Sequence, residues 1–344
     1  MSFKKIINVL ICILFILTYC YIPYWRYKKN VKIFSGMTMG TYWQVKIPDL
    51  KNEKHIKDII QNVLNQDENM LSSWKEKSIV SQFNKCKKNA LQKINKKFFD
   101  IVATALMINK KTKRKLDITI EPLISIWGFS TKKKNYQYPD AQKIKEKISI
   151  IGSKYLQLIH NSKGYFLKKT KNGVKINLST IGEGFAVDHL SLVLNKQGIK
   201  NYTIAIGGTI FVKIQNALEK PKIIAIQTPT DKKKSIHLLV YLKNYAISTA
   251  GSYLNYYYLN GIRTTHIINP MNGYPIKHNL VSVSVIASNA VYADSWDTGL
   301  LILGFKKAKK LSIKEKLAVC LVIEKKKIFY TWISPAFKKF LVKN

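Results

Sequence analysis

With 344 residues, 47% of them hydrophobic, the chain is long enough for a sizeable core and too apolar for wholesale disorder. Its formal charge of +39 points first to nucleic acid or an anionic membrane. The lysines, however, are spread along the whole length, as at Lys132–Lys134 and Lys232–Lys234. Arginine is scarce, and no zinc-finger, RNP or helix-turn-helix signature accompanies the charge, which argues against nucleic-acid binding.

At the N-terminus Lys4 and Lys5 precede an apolar run from Ile6 to Ile22, which over residues 1–23 reads as a secretory signal or a short membrane anchor. Leu17-Thr18-Tyr19-Cys20 resembles a lipobox with Cys20 as the acylated residue. Tyr19 is larger than the small residue usual before such a cysteine, so an uncleaved anchor is the alternative. Residues 24–32 form a basic linker, leaving 33–344 as one compact mixed α/β unit working outside the cytoplasm. Of the remaining cysteines, Cys86 and Cys320 either pair or stay free. There is no CxxC or Cys/His cluster to suggest structural zinc.

Along the chain, residues 33–47 read as a strand pair with Met39-Gly40-Thr41 at its centre. Ile56, Ile59, Ile60, Val63 and Leu64 then follow helical spacing over 54–70. Trp74 falls in a loop, where a large aromatic either covers a flat ligand or simply packs. A second amphipathic helix spans roughly 97–111. The following stretch, KLDITIEPLISIWGF from Lys115 to Phe129, holds Asp117, Thr119 and Glu121 among apolar residues, which predicts a hydrogen-bonded network or a ligand wall. A short helix near 140–149 and strands near 155–158, 164–168 and 174–178 lead to Ser179-Thr180-Ile181-Gly182-Glu183-Gly184. There a Gly-x-Gly turn before a helix over 185–197 has the look of an anion cradle, with close helix packing as the plain alternative. Its spacing fits neither the dinucleotide fingerprint nor the P-loop. Strands follow at 202–206, 223–227, 236–241 and 245–249.

The segment from Thr265 to Gly304 concentrates the chemistry. Turn dipeptides Asn269-Pro270 and Asn272-Gly273 precede the β-branched strand Val281–Ala287. A helix over 293–304 then places Asp294, Asp297 and Thr298 at i, i+3 and i+4, on one face. Three hard oxygen donors suit Mg²⁺ or Ca²⁺. The competing reading is helix capping, since aspartates near a helix start are favoured without any metal.

Eight segments, MGTYW, SSWKEKSIVSQFN, LDITIEPLISIWGF, NLSTIGEGFAVDHL, AIGGTIFV, STAGSYLNYY, THIINPMNGYPI and ADSWDTGLLILG, resemble in this order the motifs of the ApbE family, the FAD:protein FMN transferases. The resemblance spans about residues 35–325 and implies a T-fold-like architecture. It also implies Mg²⁺-dependent transfer of FMN from FAD to a threonine hydroxyl of an acceptor protein, with release of AMP. The alternative readings are an FAD pyrophosphatase yielding FMN and AMP, or a non-catalytic flavin-binding lipoprotein. Acceptors in the family are flavin-bearing subunits of membrane redox complexes of the Rnf or Na⁺-translocating quinone reductase type, and carry a Ser/Thr-Gly-Ala-Thr motif. The resemblance further implies, in Gram-negative bacteria, a periplasmic position attached to the inner membrane. Carried over by position, the metal ligands are Thr180, Asp294, Asp297 and Thr298, and His266 is the general base. Met39, Trp74, Lys115, Leu116, Asp117, Asn177, Glu183 and Ile268 are the FAD contacts, with Met37 as an alternative to Met39. Departures from the family pattern are Glu183 where Lys is common, Asn177 where Asp is common, and Ala250 and Ser252 for the usual Ser and Asp.

Overall fold

Alternation of buried and exposed residues in β1 (Val31–Thr38) and β2 (Thr41–Pro48) sets up the first hairpin of a large antiparallel sheet. The computed structural model describes residues 30–130, 138–216, 218–230, 235–253 and 255–343. The expected anchor at 1–23, all but the end of the linker, and the two lysine clusters lie outside these residues. Among the described residues no helix is long and apolar enough to cross a membrane.

After the hairpin come α1 (Glu53–Leu71), α2 (Ile79–Lys85), β3 (Gln92–Ile94), α3 (Lys96–Lys111), the short α4 (Glu121–Ile126) and α5 (Ala141–Ser149). The hairpin β4 (Leu156–Asn161) and β5 (Gly164–Lys169) joins β3 in a small sheet. Next are α6 (Ser179–Lys196), β6 (Asn201–Ile206), β7 (Thr209–Ile214), β8 (Lys222–Gln227), β9 (Ile236–Leu242) and β10 (Tyr245–Gly251). The chain then runs through β11 (Tyr256–Leu259), β12 (Ile262–Thr265), β13 (Leu280–Ala287), α7 (Ala290–Leu303), α8 (Phe305–Lys314), β14 (Ala318–Lys325) and β15 (Ile328–Ile333). The main sheet has eight strands in the order β1-β2-β6-β7-β10-β13-β14-β15, every neighbouring pair antiparallel.

One face of that sheet carries the main core. Trp43, Val45 and Ile47 of β2 meet Ile60 and Leu64 of α1, Leu190 and Leu194 of α6, and Trp296, Leu300 and Leu301 of α7. Helix α7 is buried nearly all round, as expected of a central helix. The three large apolar side chains it buries contribute very roughly 5–9 kcal/mol of transfer free energy, which offsets the cost of keeping two aspartates inside. On the other face, β8, β9 and the 3₁₀ turn Pro335–Phe340 cover Val212, Ile247 and Val322.

Met39-Gly40 forms a two-residue hairpin turn with φ of 50° and 76° between the two expected strands. Two local expectations are corrected. Residues 174–178 are unpaired rather than a strand. The Asn84 side chain both donates to the Ile176 carbonyl (2.9 Å) and accepts from its N–H (2.7 Å), and the Lys169 ammonium donates to the Val174 carbonyl (3.0 Å). Side chains thus take the backbone groups that a partner strand would have used. Finally, α6 begins at Ser179, so Gly182 and Gly184 lie inside the helix and no Gly-x-Gly turn exists. A Cβ at Gly184 would come within 2.5 Å of the Ala290 carbonyl oxygen. Close packing of α6 on α7 is therefore what that glycine serves. Cys86 and Cys320 are both free.

Candidate active site

A cavity of about 850 Å³ opens where the start of α6, the middle of α7, the C-terminal end of β10 and the segments 115–130 and 266–270 converge. Twelve of the thirteen residues expected at the site line it. Asp294, Asp297, Thr298 and Thr180 lie there with Glu183 and Asn177, as do Lys115, Leu116, Asp117, Trp74, Ile268 and His266. Met39 is not among the lining residues: it occupies the β1–β2 turn and packs half-buried against two apolar clusters. Met37, its alternative, points to solvent at 65% exposure.

The aspartates are not caps. Helix α7 starts at Ala290, and its free N–H groups are satisfied by others. Asn289 accepts from Tyr292 N (2.9 Å), and Asp188 of α6 accepts from Ala290 N (2.8 Å) and Val291 N (2.9 Å). Asp294 and Asp297 therefore sit beyond the first turn, 6% and 1% exposed. Asp294 Oδ2 accepts from Gly184 N at 2.8 Å, and the Thr298 hydroxyl donates to Asp297 Oδ1 at 3.1 Å. Burial, and then the Glu183 charge, hold the Asp294 carboxyl well above the usual carboxylate range. Burial and Asp294 do the same to Asp297. Burial also raises Glu183 to about 6, although its Oε2 accepts from Gly208 N at 2.9 Å. Among the described residues no three His, Cys, Asp or Glu side chains are grouped to hold a metal ion. The donor set is instead two aspartates with hydroxyls beside them. Ser248, which lines the cavity with both aspartates and shares a hydrogen bond with Thr209 Oγ1 (2.8 Å), belongs to it. Buried like charges facing hard oxygens fit a divalent cation better than they fit an apo core.

His266 follows β12. Its Nδ1 lies 2.8 Å from the Asn255 carbonyl oxygen, an atom that only accepts, so Nδ1 carries the proton and Nε2 keeps its lone pair. Burial pushes its pKa below 6.5, and the Asn255 contact opposes this in part. Lys115 donates to Asn269 Oδ1 at 3.1 Å; burial, then Lys307, lowers its pKa. Asp117 is committed to its own loop, accepting from Thr119 N and Oγ1 through Oδ1 and from Ser153 N (3.2 Å) through Oδ2. Asp117 is thus part of a hydrogen-bonded network and also of the cavity wall, so both sequence readings of that stretch describe it. Trp74 stands at the cavity rim, 56% exposed.

A sequence model of the ApbE family matches residues 39–321. The chain belongs to the ApbE family. A relative from Buchnera aphidicola subsp. Schizaphis graminum named FAD:protein FMN transferase is 61% identical over 315 residues, 92% of each chain. One of the same name from Escherichia coli K12 is 40% identical, covering 91% of this chain and 90% of its own. Among solved structures, the flavin transferase ApbE from Vibrio cholerae superposes with a TM-score of 0.82 at 29% identity, over 91% of this chain and 100% of that one. The mixed α/β fold is thus that of solved ApbE structures.

Sequence reasoning missed Ser248 and Asn255 as functional positions. Ser248 lies within a quoted motif, but its approach to α7 depends on strand pairing 30 to 50 residues apart in sequence. Asn255 acts through its carbonyl, which no side-chain pattern reveals.

Proposed function

We propose that this chain transfers FMN from FAD to a threonine hydroxyl of an acceptor protein, in a Mg²⁺-dependent reaction that releases AMP. The observation that carries the proposal is the pairing, in one cavity, of two buried, non-capping aspartates with a histidine whose Nε2 is free. Family membership supports the flavin-transfer part. A volume of about 850 Å³ is in the range of sites for large ligands. Apolar lining from Ile120, Ile124 and Ile268 suits flat rings, and the α6 start supplies polar groups.

Asp294, Asp297, Thr298 and Thr180 would hold the Mg²⁺, which when bound supplies positive charge against the pyrophosphate oxygens. His266 Nε2 takes the proton from the acceptor hydroxyl as its oxygen attacks the FMN phosphorus. The new bond is threonine Oγ to phosphorus; the bond broken is phosphorus to the bridging oxygen, whose electron pair leaves with AMP. The Asn255 carbonyl holds the imidazole in the tautomer this requires. Burial of Asp294 and Asp297 keeps water from competing for their oxygens.

The reading extends to place and partner. The apolar run Ile6–Ile22 supports attachment to the inner membrane, through Cys20 or an uncleaved helix, with residues 33–344 on the periplasmic side. The acceptor is then a flavin-bearing subunit of a membrane redox complex. Following AMP release from FAD by the full chain tests the metal half of the proposal. Release should require Mg²⁺ and fall at least 100-fold in Asp297→Asn, within the range expected when transition-state charge loses its support. Release without Mg²⁺, or an unaffected variant, would contradict it.

A further inference from the structure

Behind the cavity wall lies a buried carboxylate that the chemistry above does not use. Glu121, in the first turn of α4, is 8% exposed. Its Oε2 accepts from Asn177 Nδ2 at 2.6 Å, and its Oε1 accepts from the hydroxyls of Ser125 (3.0 Å) and Ser130 (2.8 Å). Among the described residues Glu121 has no cation partner, and a carboxylate so placed costs a great deal to bury unless donors satisfy it. Three donors do so here, and two of them, Asn177 and Ser130, line the cavity while Glu121 does not.

The Asn177 amide is consequently fixed at both ends. Its Oδ1 accepts from Ser179 N at 2.8 Å, at the start of α6, and its Nδ2 faces an oxygen that can only accept. Its backbone N–H donates to Ile118 O at 2.7 Å, tying it to the segment that carries Asp117. Neither atom can exchange places with the other without two donor–donor or acceptor–acceptor contacts. The donor and acceptor pattern that this part of the wall presents is therefore set from outside the cavity.

We infer that Glu121 is a positioning residue for FAD: it orients Asn177 and Ser130 from behind, and the pair 121–177 works with one negative charge and one amide. This rests on the flavin-transfer reading. Reversing the pair preserves the bonding. In Glu121→Gln/Asn177→Asp the new amide donates to the new carboxylate, the glutamine Oε1 accepts from both serines, and the carboxylate now at position 177 still accepts from Ser179 N. In Asn177→Asp alone, two carboxylates meet at the position of a 2.6 Å contact.

The test is FAD affinity without acceptor and without Mg²⁺, measured by flavin fluorescence on the full chain, with melting temperature recorded in parallel. Asn177→Asp should weaken binding about 10-fold or more, the scale of a lost charge-assisted hydrogen bond. The double variant should return to within about 3-fold of the natural chain. A structural role alone would move the melting temperatures and leave the affinity of the folded protein unchanged, which would overturn the inference. So would a double variant no better than Asn177→Asp. If the natural chain binds no FAD, the flavin-transfer reading fails first; if it binds FAD and Asn177→Asp binds it equally, only the role of Glu121 fails.

Discussion

His266 serves as a base only while its imidazole is neutral, and burial extends that condition to pH values below 6.5. A histidine with a lowered folded pKa stays unprotonated in the native state as pH falls, and the fold loses stability only once the unfolded chain takes up the proton. In Mg²⁺-loaded protein, the part of the acid limb due to His266 should lie below pH 6.5 and vanish in His266→Ala. That variant should lose about 10²–10⁴-fold in acceptor modification while still binding FAD; a pH–rate profile beside a binding isotherm checks both. Asp297 makes a different demand. It is 1% exposed beside Asp294, so Asp297→Asn should raise the melting temperature of metal-free protein by relieving that repulsion. At this scale the sequence was informative about side chains that the fold brings to one cavity, as with Asp294, Asp297 and His266. It was silent where a backbone atom or a distant strand acts, as with the Asn255 carbonyl and Ser248.

Helix α7 can present its aspartates inward because α6 lies unusually close and caps it. Gly184 touches Ala290 and donates its N–H to Asp294, while Asp188, one turn on, accepts from the first two N–H groups of α7. Gly184→Ala would force its Cβ to within 2.5 Å of the Ala290 carbonyl oxygen and 2.8 Å of Asp294 Cβ. The expected cost is about 1–3 kcal/mol together with loss of Mg²⁺-dependent turnover, read by urea unfolding and AMP release. Asp188→Ala should cost about 0.5–2 kcal/mol through the lost cap, with Mg²⁺ dependence retained. The periodicity of α1 and the β-branched run of β13 made those elements legible from sequence. The start of α6 was not, because glycine signals a turn locally and a helix contact only when the partner helix is known. The unpaired run at 174–178 was misread for a similar reason: its β-like composition is real, but Asn84 and Lys169 are its partners.

Across the molecule, a chain of formal charge +39 places four of its few carboxylates, Asp117, Glu183, Asp294 and Asp297, around one cavity. Burial raises the last three. For Glu183 the contribution to stability is fully present below about 4.5 and is lost as pH rises through about 6. Metal-free protein should therefore be penalised at neutral pH, and the gain in melting temperature on adding Mg²⁺ should be small at about pH 5 and largest near pH 7.5. Equal gains at both pH values would show that these carboxylates do not hold the ion. The eight-stranded order could not be read from the sequence, since strands such as β7, β14 and β15 gain their identity from neighbours far along the chain. The central claim is that metal site and base act together on one bond. The most direct measurement is the intact mass of an acceptor domain carrying a Ser/Thr-Gly-Ala-Thr segment after incubation with the full chain, FAD and Mg²⁺. The account predicts a gain of one FMN, absent without Mg²⁺ and strongly reduced in His266→Ala; FAD consumed with the acceptor mass unchanged would contradict it.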